Sequence, residues 1–392
     1  MRCPLLLLAF ALVPITALNI LLTSEDSWVS ENVRVLHETL SQFHKVIMVA
    51  PLSDVSSLAG AMYVNENPVL DSDDDAEFGY AVKAGDAVFG RDPSNDDIWY
   101  VDASTVGSVV IGLDHIIPHH YNNVSIDLVV AGPKEGSTIG PLEQLQSGVF
   151  AAMRFCSLRN IPAIAISTLD DIHRFYDGSS EEETVSALQR KENDSSAKIV
   201  AQKTVQLVDK LMNHSLDKAM YGTHQSFTTS KSKYIDQSGS KFHEEDCEHD
   251  RADSQNTTPR LLPEGMGLSV NFPMCGSQSQ MRCRDPTFVH SRSVGSYSLT
   301  PTAEYIDGKL QISGVYQINE WNDYKAFADL PSDRSLSESC SISVTPINSM
   351  GVDAKFPELA EILNYETSVE FGQLIVQNEK SLLVELLNRL GH

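Results

Sequence analysis

The sequence predicts an α/β fold: a doubly wound, mostly parallel sheet with helices on both faces, followed by a β-rich C-terminal extension and a C-terminal helix. Three observations carry this expectation. Short apolar runs recur at residues 18–23, 45–50, 125–131 and 161–167, the pattern of strands buried on both faces. Segments with helical spacing lie between them, and alternating strand and helix is the signature of a parallel sheet. A loop punctuated by Gly132, Gly136 and Gly140 follows the third run, where ligand-binding loops of open sheets lie.

The elements follow in order. The first run (LNILLT) leads into Ser24-Glu25-Asp26-Ser27, and apolar residues then recur at Val29, Val33, Leu36 and Leu40. That spacing predicts a helix, with Ser27 or Ser30 available as N-cap. The second run (KVIMVA) is stopped by Pro51, and the third (SIDLVVA) opens the glycine loop. Ser147 is placed to start a helix that reaches about Arg159, before the fourth run (IPAIAIS). Residues 196–214 read as an amphipathic helix built on Ile199, Val200, Leu207, Val208, Leu211 and Met212. Residues 221–261 are polar and nearly free of aliphatic side chains, the composition of an exposed, mobile insertion. Short strands are expected at 267–272, 287–289, 310–315 and 341–344. From 356 to 390 the pattern is helical and ends in a leucine stripe, Leu382 to Leu390, suited to docking or self-association. The organisation expected is therefore a leader at 1–17, a core at 18–220, the insertion, an extension at 262–346 and a helical tail at 347–392.

Composition narrows the function. The 392-residue chain carries 53 acidic and 29 basic residues, a formal charge of −24. Such a charge repels a nucleic-acid backbone and gives no polybasic contact for a membrane. Arg2, the apolar stretch Leu5 to Val13, Pro14 and the small residue Ala17 read as a cleaved signal peptide, too short for a spanning helix of ~20 residues. Glycosylation sequons at Asn123, Asn193, Asn213 and Asn256 agree with secretion. Five cysteines remain after Ala17. Cys156, in an apolar helical stretch, is expected to be a buried free thiol, and Cys275 is expected to pair with its sequence neighbour Cys283.

In an open parallel sheet, the segments after each strand make the site. They bring Glu25 and Asp26, a Ser/Asp loop with Ser56, the glycine loop with Lys134, Gly136 and Thr138, and Ser147-Gly148 at a helix start that favours an anion. Carboxylates, hydroxyls and an anion-binding helix start on one rim suit a hard divalent cation with a phosphate. Other groupings are bland. His115, His119 and His120 read as a solvated loop, and His243, Cys247 and His249 sit in an exposed acidic stretch. The Gly-x-Ser-x-Gly elbow is missing, as is Gly-x-Gly-x-x-Gly after the first strand, so a serine hydrolase and a dinucleotide oxidoreductase are poor readings.

These residues resemble the SurE-type survival proteins, a Rossmann-like family of metal-dependent phosphatases and 5′-nucleotidases. The resemblance rests on Ile20 to Trp28, on Val49-Ala50-Pro51 with Ser56, on Asp127 to Gly140, on Ser147-Gly148 and on Ile161 to Ala165. Ile98-Trp99-Tyr100, Gly112-Leu113-Asp114 and Leu262-Pro263-Glu264-Gly265 look like its secreted fungal-type branch. The resemblance implies hydrolysis of small phosphate esters such as nucleoside monophosphates, and an extension that supports homo-oligomers. It gives Glu25, Asp26 and Ser56 to a Mg²⁺ or Mn²⁺ ion, with Asp26 also activating water. Gly136, Thr138, Ser147 and Gly148 go to phosphate.

Four positions depart from the family pattern. Glu25 stands for an aspartate, Lys134 for a metal-binding asparagine, Thr138 for a second asparagine and Val149 for a threonine. Lysine has donors only and cannot coordinate a cation, so its ammonium is expected either to pair with Glu25 and Asp26 in the metal's place or to contact substrate phosphate. The alternative to an active phosphatase is a catalytically silent secreted binding protein that keeps the scaffold.

Overall fold

The computed structural model describes residues 17–71, 82–176, 195–221, 260–276, 283–293, 297–318 and 329–364. Residues 222–259 of the polar insertion, the leucine stripe, residues 1–16 of the leader and the sequons at Asn193 and Asn256 lie outside these residues, as do Cys247 and its neighbouring histidines.

Nine strands form one mixed sheet among the described residues. They are β1 (Asn19–Thr23), β2 (Lys45–Pro51), β3 (Phe89–Asp92), β4 (Asn95–Val101), β5 (Leu128–Glu135), β6 (Ala163–Thr168), β7 (Met266–Phe272), β8 (Thr287–His290) and, after the two-stranded arm, β11 (Ser341–Asn348), in the order β3-β4-β2-β1-β5-β6-β7-β11-β8. Pairing is parallel from β4 through β7 and antiparallel for β3–β4 and β7–β11; β8 pairs parallel to β11. The doubly wound expectation holds, and the extension continues the sheet through β7, β11 and β8.

Each central strand divides its side chains between two cores. Ile20 and Leu22 of β1 face one, with Met48 of β2 and Val130 of β5; Leu21 faces the other, with Ile47 and Val129. The first core is closed by α1 (Glu31–Leu40) and α6 (Ser196–Tyr221), the second by α2 (Thr105–Ile111) and α5 (Gly148–Leu158). Helices on both faces explain why the strands read as continuous apolar runs. Each fully buried Leu or Ile contributes ~2 kcal/mol to holding the layers together.

Several expectations change. The expected Cys275–Cys283 pair is not formed: Cys283 is bonded to Cys340, and Cys275 and Cys156 are buried free thiols. The reason is the pairing of β8 with β11, which sets Thr287 opposite Ser341 and brings Cys340 beside the chain entering β8. Proximity in sequence played no part. The His115–His120 stretch is helical, a π turn at Gly112–Ile116 running into α3 (Ile117–His120), though all three histidines are exposed as expected. Strands β3 and β4 and helix α2 had no counterpart in the sequence reading. Nor did β9 (Tyr297–Ile306), which pairs with β10 (Lys309–Ile318) in the arm turned by Asp307-Gly308, both at positive φ. Three short helices, α4 (Gly140–Leu145), α7 (Asp333–Leu336) and α8 (Leu359–Asn364), complete the described chain. Among the described residues, no helix is long and apolar enough to cross a membrane.

Candidate active site

The chain leaves β1 toward β2 on one side, and β5 pairs with β1 on the other. The order of the sheet therefore reverses at the carboxyl ends of β1 and β5, and a crevice forms there. Into it run Ser24-Glu25-Asp26 from β1 and the glycine loop from β5. Ser24 Oγ donates to the Pro133 carbonyl at 3.2 Å, and the Val55 N–H donates to the Glu25 carbonyl at 2.9 Å. The first bond ties the β1 loop to the β5 loop, the second to the β2 loop.

Two features aim the glycine loop. Gly132 has φ +110°, and a Cβ there would lie 2.2 Å from the Ile166 carbonyl oxygen, so only glycine allows β5 to pass β6 this closely. The β5–β6 register then shifts between Ala131 and Lys134. Such a bulge redirects side chains, and here Lys134 turns toward β1. Its Nζ lies 2.8 Å from Glu25 Oε1, an ion pair in which the glutamate is fully buried.

The other Glu25 oxygen, Oε2, accepts the N–H of Val149 at 2.9 Å, at the start of α5. Gly148 makes room for it, since a Cβ there would stand 2.9 Å from Oε2 and 2.6 Å from Thr105 Oγ1. Ser147 caps the same helix, its Oγ accepting the Phe150 N–H at 3.2 Å. Asp26 is buried, and its Oδ2 accepts the Glu135 N–H at 2.8 Å. Burial first, then the charges of Glu135 and Glu25, hold its carboxyl well above the usual carboxylate range, against the pull of the Glu135 amide and Lys134.

The sequence-derived residues thus converge unevenly. Glu25, Asp26, Lys134, Ser147 and Gly148 form one contiguous set. Thr138 is buried beside them, its Oγ1 3.5 Å from Ser147 Oγ. Gly136 has φ +79° and open space where a Cβ would stand. Ser56 is exposed on the rim, linked to the acids through its neighbour Val55 but with no hydrogen bond to either among the described residues. The helix start assigned to phosphate already holds an anion, the Glu25 carboxylate. Among the described residues no group of three or more His, Cys, Asp or Glu side chains is placed to hold a metal ion.

Sequence reasoning missed two groups. Asn271 of β7 accepts from the Thr138 N–H at 3.0 Å and from Ser167 Oγ at 2.6 Å, holding the glycine loop against the sheet. Glu135 pairs with His173 at 2.7 Å beside Asp26. Neither carried a local motif; the position of Glu135, directly after Lys134, was the available signal.

A family model, "Survival protein SurE", matches residues 20–291. The chain belongs to the SurE family. An acid phosphatase of Yarrowia lipolytica is 29% identical over 284 residues, 72% of this chain and 64% of that protein. A 5′-nucleotidase SurE of Clostridium botulinum is 29% identical over 150 residues, 38% of this chain and 50% of its own length. The chain thus matches between half and about two thirds of the length of these SurE relatives. The solved SurE protein of Aquifex aeolicus aligns at 17% identity and a TM-score of 0.49 over 88% of this chain and 98% of that one, a likeness too slight to argue from.

Proposed function

We propose that the chain is a secreted phosphoric monoester hydrolase acting on small phosphate esters, nucleoside monophosphates among them. The observation that carries the reading is the buried Glu25–Asp26 pair at the carboxyl end of β1, facing the glycine loop of β5. The names of the two relatives agree with it, and the strongly negative charge favours a small ligand over a nucleic-acid backbone.

The chain's own residues divide the work. Lys134, with 12% of its side chain exposed, supplies positive charge to the phosphate at the rim. Gly136 offers backbone that a phosphate can approach without a side chain in the way. Asp26 exchanges a proton with the attacking water; a carboxyl held at raised pKa is the stronger base when ionised. Water adds to phosphorus, the ester P–O bond breaks and the alcohol leaves with a proton.

The resemblance also brings an expectation of Mg²⁺ or Mn²⁺ at Glu25, Asp26, Ser56 and position 134. The side chains present do not fit it: the Lys134 ammonium already lies against Glu25, and amide N–H groups hold one oxygen of each acid. A second reading, the silent binding protein, is favoured by this same closed arrangement. Secretion is supported by the apolar leader, by the Cys283–Cys340 disulfide, which suits an oxidising compartment, and by the exposed sequon at Asn123. The Asn213 sequon is a weaker acceptor, because Ser215 is buried in α6 and donates to the Arg260 carbonyl. Self-association is supported by the arm, where Tyr305 and Leu310 are about three-quarters exposed.

Phosphate release from a panel of nucleoside 5′-monophosphates and simple aryl phosphates tests the activity. Turnover by the native chain that falls at least ~100-fold in Asp26→Asn supports hydrolysis. A native chain silent across the panel, in chelator and with Mn²⁺ alike, leaves the binding-protein reading.

A further inference from the structure

The Glu25–Lys134 pair answers both polar demands of the crevice from within the chain. The start of α5 needs an acceptor for its free N–H groups, and Glu25 Oε2 takes the Val149 N–H at 2.9 Å. A pair of buried acids needs a cation, and Lys134 Nζ lies 2.8 Å from Glu25 Oε1. The glutamate reaches both at once because Gly148 leaves it room. The bulge in β5 fixes the lysine, and the N–H of the next residue, Glu135, holds Asp26 Oδ2 at 2.8 Å.

We infer that Lys134 is the resident cation of this site: the chain binds no divalent ion there and meets a phosphate-bearing ligand with an ammonium. A divalent ion takes about six oxygen ligands. Here one oxygen of Glu25 and one of Asp26 are committed to backbone N–H groups, and the remaining Glu25 oxygen faces the ammonium. An incoming cation must first displace that ammonium from a fully buried carboxylate, and lysine offers it no lone pair in exchange. Two cations side by side in a buried crevice also repel strongly. The statement about divalent ions stands on the geometry alone; the statement about phosphate rests on the proposed function.

The full chain is tested by thermal unfolding in excess MnCl₂ and in EDTA, as wild type, Lys134→Arg, Lys134→Asn and Asp26→Ala. Wild type and the arginine variant are expected to unfold at the same temperature in both solutions. Lys134→Asn, with the ammonium gone and an oxygen ligand in its place, is expected to gain a Tm rise of ~3 °C or more in Mn²⁺. A wild-type rise in Mn²⁺ that Asp26→Ala abolishes overturns the inference, as does a folded Lys134→Asn chain that gains none. Should Lys134→Asn fail to fold, the wild-type and arginine chains decide: no rise in either supports the inference, and a rise in wild type sinks it. These outcomes are separate from turnover. A chain inactive on every phosphate ester fails the proposed function and leaves the Mn²⁺ result standing, whereas Mn²⁺ binding beside turnover in EDTA fails only the inference.

Discussion

Glu25 carries more of this site than any other residue, since it joins the end of β1, the start of α5 and Lys134 in one contact. The extra methylene relative to aspartate lets one carboxylate reach the Val149 N–H and the ammonium together. Removing the lysine charge with Lys134→Met leaves a buried, unpaired carboxylate, and the expected loss is ~3 kcal/mol or more of unfolding free energy at neutral pH, read by chemical denaturation. Lys134→Arg, which keeps the charge, is expected to lose much less. Gly148→Ala tests the same contact from the helix side. Alanine is the better helix former, yet its Cβ would press on Glu25 Oε2, Thr105 Oγ1 and the Ala59 carbonyl. The clash outweighs propensity, and a net loss of ~1–3 kcal/mol is expected. A variant as stable as the parent would show that Glu25 does not sit against the helix start.

Elements differ in how far the sequence reveals them. Strands β1, β2, β5 and β6 are buried on both faces, so their runs are mostly apolar, and each was readable from the residues alone. Asn19 and Asp127 are polar residues near two of the run starts, bonded to each other. Strand β4 was not, because Asn95, Asp96 and Asp97 open it at the sheet's outer end and only Ile98 to Val101 enter the core. The arm had a local signal, Asp307-Gly308, that marks a tight hairpin turn. The site divides in the same way. Glu25 and Asp26 were legible because they follow a readable strand; Asn271 was not, since it meets the glycine loop from 133 residues away. The disulfide was misread for the same reason, being set by the β8–β11 pairing and not by sequence distance. It closes a loop of 57 residues, and Cys340→Ser is expected to cost about 4 kcal/mol on the chain-entropy estimate. A loss confined to the strand-edge region, with the central sheet unaffected in hydrogen exchange, is expected if β8 and β11 form a cooperative unit of their own.

At the scale of the whole molecule, two histidines link stability to pH. Burial, aided by the Arg34 charge, lowers His37 to about 4, and burial lowers His44 to about 4. Both bind protons more readily when unfolded, so the stability they contribute is complete above pH 6.5 and is lost as the pH falls toward 4. Asp209 acts in the opposite sense: burial pushes its carboxyl up to about 6, and its protonation favours the fold as the pH falls through that value. The His44 contribution is isolated by His44→Gln, which retains an acceptor for the Leu18 N–H that His44 Nδ1 now takes at 3.4 Å. Between pH 6.5 and 4 the variant is expected to lose ~3 kcal/mol less than wild type. Equal losses in the two chains would place the histidine's titration elsewhere.

The measurement that bears most directly on the whole reading is phosphate-ester turnover by the native chain in EDTA, repeated with Mn²⁺ added back. A site whose cation is Lys134 and whose acid–base group is Asp26 should turn over in chelator at a rate that Mn²⁺ leaves within ~2-fold, and should lose that rate in Asp26→Asn. Turnover that appears only with Mn²⁺, or that survives the loss of the Asp26 carboxylate, would mean that the acids serve a metal or that the chemistry lies outside this crevice.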